Sequence, residues 1–139
     1  MTAEEIVSLF NQNRPACVQT LQGTVLEFLP EQDQIKMRFE PGLHCCHSTD
    51  IVQGGYITAM LDAAMAHVTI AKEKFGVTVS SIDINVSFLR PLRAGPCTAV
   101  GSIVKLGRSV GYLRAELFNT KGELAATATS SAHLSRHAK

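Results

Sequence analysis

Between His47 and Asp62 the chain reads His47-Ser-Thr-Asp-Ile-Val-Gln53-Gly54-Gly55-Tyr-Ile-Thr-Ala-Met-Leu-Asp62. Two glycines follow a loop and open a predicted helix. The first N–H groups of a helix lack partners within it. Glycine lets a substrate come close to that backbone, and the helix dipole adds positive potential. Such a terminus can hold an anion or a developing oxyanion, although many helices simply begin with glycine. Asp62 is the only formal charge between Ile51 and Ala71. A carboxylate in so apolar a run risks desolvation, which raises its pKa and suits it to general-base work. A solvated surface aspartate is the plain alternative.

The spacing adds a constraint. Gly55 and Asp62 are seven residues apart, roughly 10 Å along a helix rising about 1.5 Å per residue. One small reacting carbonyl cannot touch both groups of one chain. If both act, they come from two copies of the helix, antiparallel across a two-fold axis.

The helix that positions these groups is predicted over Gly54 to Phe75, with Gly76 as its C-terminal cap. Ile57, Met60, Leu61, Ala64, Val68 and Ala71 share one face at helical spacing. Asp62 falls off that stripe, in line with Gly55, Thr58, Met65, Ala66 and Thr69. Thr2 and Glu5 form a capping box for a short helix over 3–12. Residues 21–29 and 34–40 read as a hairpin around Pro30-Glu31-Gln32-Asp33, and Pro41 to Val52 as a loop. Residues 78–90 alternate, with Ile82, Ile84, Val86 and Phe88 on one face and Ser81, Asp83, Asn85 and Ser87 on the other. Strands follow near 96–106, 109–119 and 123–134, joined by turns at Leu106-Gly107-Arg108 and Asn119-Thr-Lys-Gly122. One long apolar helix among antiparallel strands implies an α+β fold, a curved sheet packed round the helix.

The 139 residues suit a single domain spanning 1–139, and 45% hydrophobic against 18% charged residues excludes disorder. The net charge of +1 conceals two opposite halves. Residues 1–89 hold 5 basic and 10 acidic residues, a balance of −5, and residues 90–139 hold 8 basic and 2 acidic, a balance of +6. A basic half suits a phosphate-bearing partner, or is only a set of solvated strand faces. The absence of any Lys/Arg run or Trp weighs against nucleic acid. An acidic N-terminus without an apolar segment, and no long apolar span, point to a cytoplasmic protein without membrane association. Cys17, Cys45, Cys46 and Cys97 are then expected to be free thiols.

Three segments in order resemble the hotdog-fold acyl-CoA thioesterases, in particular the phenylacetate-pathway type and the 4-hydroxybenzoyl-CoA thioesterases. They are Gly54-Gly55 with six residues before Asp62, Ser81-Ile-Asp-Ile-Asn-Val-Ser-Phe-Leu-Arg-Pro91, and Lys105-Leu-Gly-Arg-Ser109. The resemblance covers about residues 20–135. It implies an antiparallel sheet wrapped round the long helix, assembled as a homodimer or a dimer-of-dimers homotetramer. It implies that the amide at Gly55 polarises a thioester carbonyl. Asp62 of the other subunit would be general base or nucleophile, helped by a hydroxyl at Ser81, or else Ser80. Substrate and CoA contacts fall on Gly54, Arg90, Lys105, the Gly107 backbone, Arg108 and Ser109, since Arg and Lys pair well with phosphate. Arg136 and His137 are weaker candidates. CoA enters as part of the substrate, and no separate cofactor is implied.

The chain departs from the family at three places. Gln53 stands where the family often has histidine, and it can hydrogen-bond but cannot carry a proton. His47 stands where asparagine is frequent, leaving a changed water-positioning group or a noncatalytic loop residue. Asp50 replaces a usual glycine. His44-Cys45-Cys46-His47 lacks the ligand spacing of a zinc site, so no metal is expected. His67 reads as structural. Two alternatives to hydrolysis stay open: an acyl-CoA dehydratase or hydratase using His47 and Asp62, and a non-catalytic acyl-CoA-binding hotdog protein.

Overall fold

A computed structural model of the chain describes residues 1–138. Helix α1 (Ala3–Gln12) starts as the capping box requires, with Glu5 N–H donating to Thr2 Oγ1 at 3.1 Å. A further short helix, α2 (Ala16–Thr20), follows directly on Pro15, where only a break was expected. Strands β1 (Thr24–Leu29) and β2 (Gln34–Phe39) form the expected hairpin. The stretch expected to be a loop carries a 3-10 turn at Leu43–Cys45 and a small hairpin of β3 (Cys46–Ser48) and β4 (Ile51–Val52). Helix α3 (Gly54–Lys72) comes next, then β5 (Val77–Phe88), β6 (Cys97–Leu106), β7 (Val110–Phe118) and β8 (Leu124–Arg136).

The main sheet has six antiparallel strands in the order β1-β2-β6-β7-β8-β5. It lies against α3, which packs on β6, β7, β5, β2 and β8, while α1 covers β1. Ile57, Met60, Leu61, Ala64, Val68 and Ala71 form the buried side of α3, as their spacing predicted. The buried side is wider than that stripe, because Met65 and Thr69 are buried too. Helix and sheet approach closely at Gly101 of β6. A Cβ there would collide with the backbone carbonyl of Ala64.

The end of α3 differs from expectation. The helix stops at Lys72, and Gly76 is not its cap. Lys74 N–H donates to Ala71 O at 3.1 Å and Phe75 N–H to Ile70 O at 3.0 Å. That is the paired-bond pattern of a Schellman motif. Its left-handed residue is Lys74, at φ 51°, with Phe75 following at φ 65°. The motif folds Phe75 back onto Phe10 of α1, with ring centroids 4.9 Å apart.

Strand β5 forms one edge of the sheet and carries a bulge. Ser81 pairs with Ala132 and Asp83 with Ser131, which leaves Ile82 without a register partner. The extra residue shifts the alternation by one. Val77 and Val79 turn inward before it, and Ile84 and Val86 after it. Ser81 shares the inner side with Val79, so the expected pairing of Ile82 with Ile84 on one face does not hold. Ile82 is 59% exposed.

Candidate active site

Helix α3 begins beneath the β3–β4 hairpin, which the following segment pins in place. Val52 N–H donates to Leu92 O, Gln53 N–H to Cys45 O, and Ala94 N–H to Asp50 O, each at 2.8 Å. Asp50, out of character for a glycine position, bonds Arg93 Nη1 at 2.7 Å and so ties the loop to the same segment. The start of the helix is thereby held on two sides.

Gln53 is the N-cap of α3. Its Oε1 accepts from the Gly55 N–H at 2.9 Å. Gly55, the expected oxyanion donor, therefore has its N–H engaged. The Gly54 N–H has no acceptor among the described residues. Gly54 lies under the Phe88 ring, where a Cβ would come 3.2 Å from Phe88 Cζ. Gly54, His47, Ile51, Ile57, Phe88 and Arg90 line a cavity of about 500 Å³. His47 is exposed at its rim, with Nδ1 hydrogen-bonded to Ser48 Oγ at 2.5 Å.

Asp62 lies two turns further along α3, half-buried. Ser81 Oγ donates to its Oδ1 at 2.8 Å. The β5 bulge makes this contact possible, since it aims Ser81 at the helix while keeping Ile84 and Val86 in the core. Of Ser80 and Ser81, it is Ser81 that reaches Asp62. Asp62 Oδ2 has no partner among the described residues. Asp62 and the Gly54 amide are eight residues apart on one helix, about 12 Å by the helical rise. The two groups do not converge within the chain.

The expected CoA contacts also divide into two groups. Arg90 sits by the Gly54 cavity and pairs with Glu123, Nη1 to Oε2 at 2.8 Å. Hydrogen bonds from Asn119, and then the Arg90 charge, hold the Glu123 carboxyl below its usual range. Lys105, Arg108 and Ser109 are exposed around the β6–β7 turn. The strand registers place that turn level with the start of β5, at the end of the sheet opposite Arg90. At about 3.3 Å per strand residue the separation approaches 30 Å. The Gly107 N–H is not available as expected, because it donates to Val110 O at 2.9 Å. Arg136 is engaged in structure, donating to the carbonyls of Gly107 and Arg108 and pairing with Glu73 at 2.9 Å. His137 Nε2 is hydrogen-bonded to Thr78 Oγ1 at 2.8 Å.

The thiols do not assemble with the histidines. Cys45 is buried while His47 is exposed. Burial pushes the Cys97 thiol up to about 12, so it stays protonated. No three His, Cys, Asp or Glu side chains come together as a metal-binding group among the described residues. His67 is the buried titratable group of α3, 7% exposed. It bonds the Ala63 carbonyl through Nδ1 at 2.7 Å and lies tilted against the Phe10 ring, and burial lowers its pKa.

A six-stranded antiparallel sheet laid against one long helix, with a short N-terminal helix beside it, defines a hotdog fold. The thioesterase superfamily model matches residues 50–126, more than half the chain. The chain belongs to that superfamily and is a thioester hydrolase. It is 29% identical over 110 residues to the medium/long-chain acyl-CoA thioesterase YigI of Escherichia coli K12, covering 70% of this chain and 71% of the relative. A phenylacetic acid degradation-related protein of Ralstonia eutropha JMP134 superposes with a TM-score of 0.82 at 30% identity, over 87% of this chain and 91% of that one. A thioesterase of Haemophilus influenzae has the same fold, with a TM-score of 0.83 at 20% identity over 100% and 94% of the two chains.

Proposed function

We propose that this chain hydrolyses acyl-CoA thioesters to a free acid and CoA, at a site completed by a second copy of itself. The observation that carries the reading is the division of the site. The Gly54 amide is open but has no base beside it. Asp62 has a free oxygen but no oxyanion donor near it. Antiparallel pairing of two α3 helices brings the Gly54 amide of one protomer to Asp62 of the other, twice per dimer.

In this reading the thioester carbonyl accepts a hydrogen bond from the Gly54 N–H, and the α3 dipole favours the charge that develops on its oxygen. Ser81 holds Oδ1 of Asp62. Oδ2 takes a proton from water as the water oxygen bonds the carbonyl carbon. Collapse of the tetrahedral intermediate breaks the C–S bond, and the CoA sulfur leaves as thiolate and takes up a proton. CoA is part of the substrate, and no further cofactor enters.

The same pairing bears on the basic groups. Two β5 edges set antiparallel bring the Lys105, Arg108 and Ser109 end of one protomer to the Arg90 end of the other. Both groups can then address the CoA phosphates. The edge itself supports such a dimer. It is a long strand with one side unpaired, exposing Ile82 at 59% and, near its end, Phe88 and Leu89 at 54% each. The dimer can stand alone or pair into a tetramer. Free cysteines and an acyl-CoA substrate suit a cytoplasmic setting. No helix among the described residues is long and apolar enough to cross a membrane. The acyl-CoA specificity of the YigI relative supports a CoA thioester as the substrate class.

A panel of acyl- and aryl-CoA thioesters with thiol detection tests the reading. The native chain releases thiol from at least one of them. Asp62→Asn lowers the rate by about 10²–10⁴-fold with little change in thermal midpoint. No thiol release from any thioester overturns it. Hydration of an enoyl-CoA would favour a hydratase using His47 and Asp62, and tight binding without turnover a carrier.

A further inference from the structure

Another cavity, of about 550 Å³, lies where the ends of α1 and α3 meet. That is within the roughly 300–1,000 Å³ of small-molecule pockets. Leu9, Phe10 and Pro15 line it from one side, and His67, Ile70 and Phe75 from the other. Packing holds it in shape. The Phe10 ring lies 4.7 Å from His67 and 4.9 Å from Phe75, and the turn after α3 fixes Phe75. No charged side chain lines it among the described residues. Its two polar side chains, Asn13 and His67, hydrogen-bond the Leu9 and Ala63 carbonyls of their own helices, at 2.9 and 2.7 Å. Burial lowers the His67 pKa, so the ring is uncharged at neutral pH. Such walls do not suit a CoA phosphate, and they do suit a hydrocarbon.

The cavity lies in line with Asp62 along α3. Asp62, Ala66 and Ile70 form one row at four-residue spacing. On that row only the half-buried methyl of Ala66 stands between the carboxylate and Ile70, with Ala63 beside it. In the dimer proposed above the partner helix begins opposite Asp62, so it does not run over Ala66 or Ile70. Asp62 and Ile70 are eight residues apart, about 12 Å of helical rise. An extended alkyl chain advances about 1.25 Å per carbon, by the bond length and angle of tetrahedral carbon. About six carbons beyond the thioester carbonyl therefore reach His67, and about ten reach Ile70.

We propose that this cavity holds the far end of the substrate's acyl chain, and that straight chains of about eight carbons or more are the preferred class. This rests on the acyl-CoA hydrolysis proposed above. The chain leaves the carbonyl at Asp62, crosses Ala66 and ends among Leu9, Phe10, Ile70 and Phe75. Small side chains at Ala63 and Ala66 leave it room. Helix α1 thereby takes part in specificity, although it carries none of the reacting groups.

Straight-chain thioesters from butyryl-CoA to dodecanoyl-CoA, kept below micelle formation, test this by thiol release. For the native chain, kcat/KM should rise from octanoyl-CoA onward by up to about fourfold per methylene. Ile70→Trp fills the cavity from α3. Leu9→Trp fills it from α1, at a side chain already 38% exposed. In each variant the decanoyl-to-butyryl ratio of kcat/KM should fall by about tenfold or more, with thermal midpoints near native. A native profile flat in chain length overturns the cavity's role and leaves the hydrolysis reading standing. So does an unchanged ratio in both folded variants. A changed oligomeric state with that ratio intact would make the cavity a contact between copies instead. No thiol release from any thioester overturns the hydrolysis reading and this one with it.

Discussion

Asp62 has one oxygen held by Ser81 and one left open, and the two should be separable by mutation. Ser81→Ala removes the 2.8 Å hydrogen bond but keeps the carboxylate. A hydrogen bond to a charged group is worth about 1.5–3 kcal/mol. We expect kcat to fall about tenfold to a hundredfold, less than in Asp62→Asn, with KM nearly unchanged. A rate equal to native would mean that Ser81 does not position the base. At this scale part of the candidate site was legible. The glycine pair and a lone aspartate in an apolar helix stand out by type and spacing alone. The Gln53 cap was not legible, because glutamine is not among the favoured N-cap residues and only the coordinates bring its Oε1 to Gly55. The engagement of the Gly107 amide was hidden for a similar reason, since it depends on how the β6–β7 turn closes.

Among the elements, α3 is fixed by contacts on two sides, and each gives a test. Gly101 lets α3 sit directly on β6. Gly101→Ala sets a Cβ against the Ala64 carbonyl, a backbone atom that cannot move alone. The expected cost is about 1–3 kcal/mol, read as a lowered midpoint in urea. On the other side, His67 is buried against Phe10 with its pKa lowered from the ordinary 6.5. The unfolded chain binds a proton there at a higher pH than the folded chain does. Stability is therefore full above about pH 6.5 and falls as pH drops below it, by at most about 1.4 kcal/mol per pH unit. Urea melts from pH 7.5 to 5 should show this decline, reduced in His67→Leu. An equal slope in both proteins would contradict the assignment.

The elements were read from periodicity with good success where pattern and packing agree, as in α3 and β6 to β8. The failures have a common cause. A bulge adds one residue to β5 without disturbing the run of residue types, so Ser81 and Ile82 took the wrong faces. The end of α3 uses Lys74 in a left-handed conformation that lysine seldom adopts. The nearby Gly76 was the more natural choice by residue type. In both cases tertiary contact decides: Ser81 with Asp62, and Phe75 with Phe10.

For the whole molecule, the charge arithmetic gains a spatial meaning. The acidic half of the sequence supplies α3 and strands β1, β2 and β5, and the basic half supplies the adjoining strands β6, β7 and β8 of the same sheet. The basic groups separate further, to opposite ends of the sheet. The edge strand β5, the half-buried alanines Ala63 and Ala66, and Asp62 are all accessible without disturbing the core. One copy is a complete fold. The proposed thioesterase site needs two.

Mixing two inactive variants tests that requirement most directly. Asp62→Asn lacks the base. Gly54→Pro lacks the first amide N–H, and proline is well tolerated at the first position of a helix. Gln53 before it is already extended, at φ −67° and ψ 140°, as a residue preceding proline should be. Each variant alone should be nearly inert. After subunit exchange at equal amounts, half the dimers are mixed, and each mixed dimer holds one intact site of its two. A site shared across a two-fold axis then recovers about a quarter of native thioesterase activity. No recovery, with exchange verified by native mass spectrometry, would contradict the shared site.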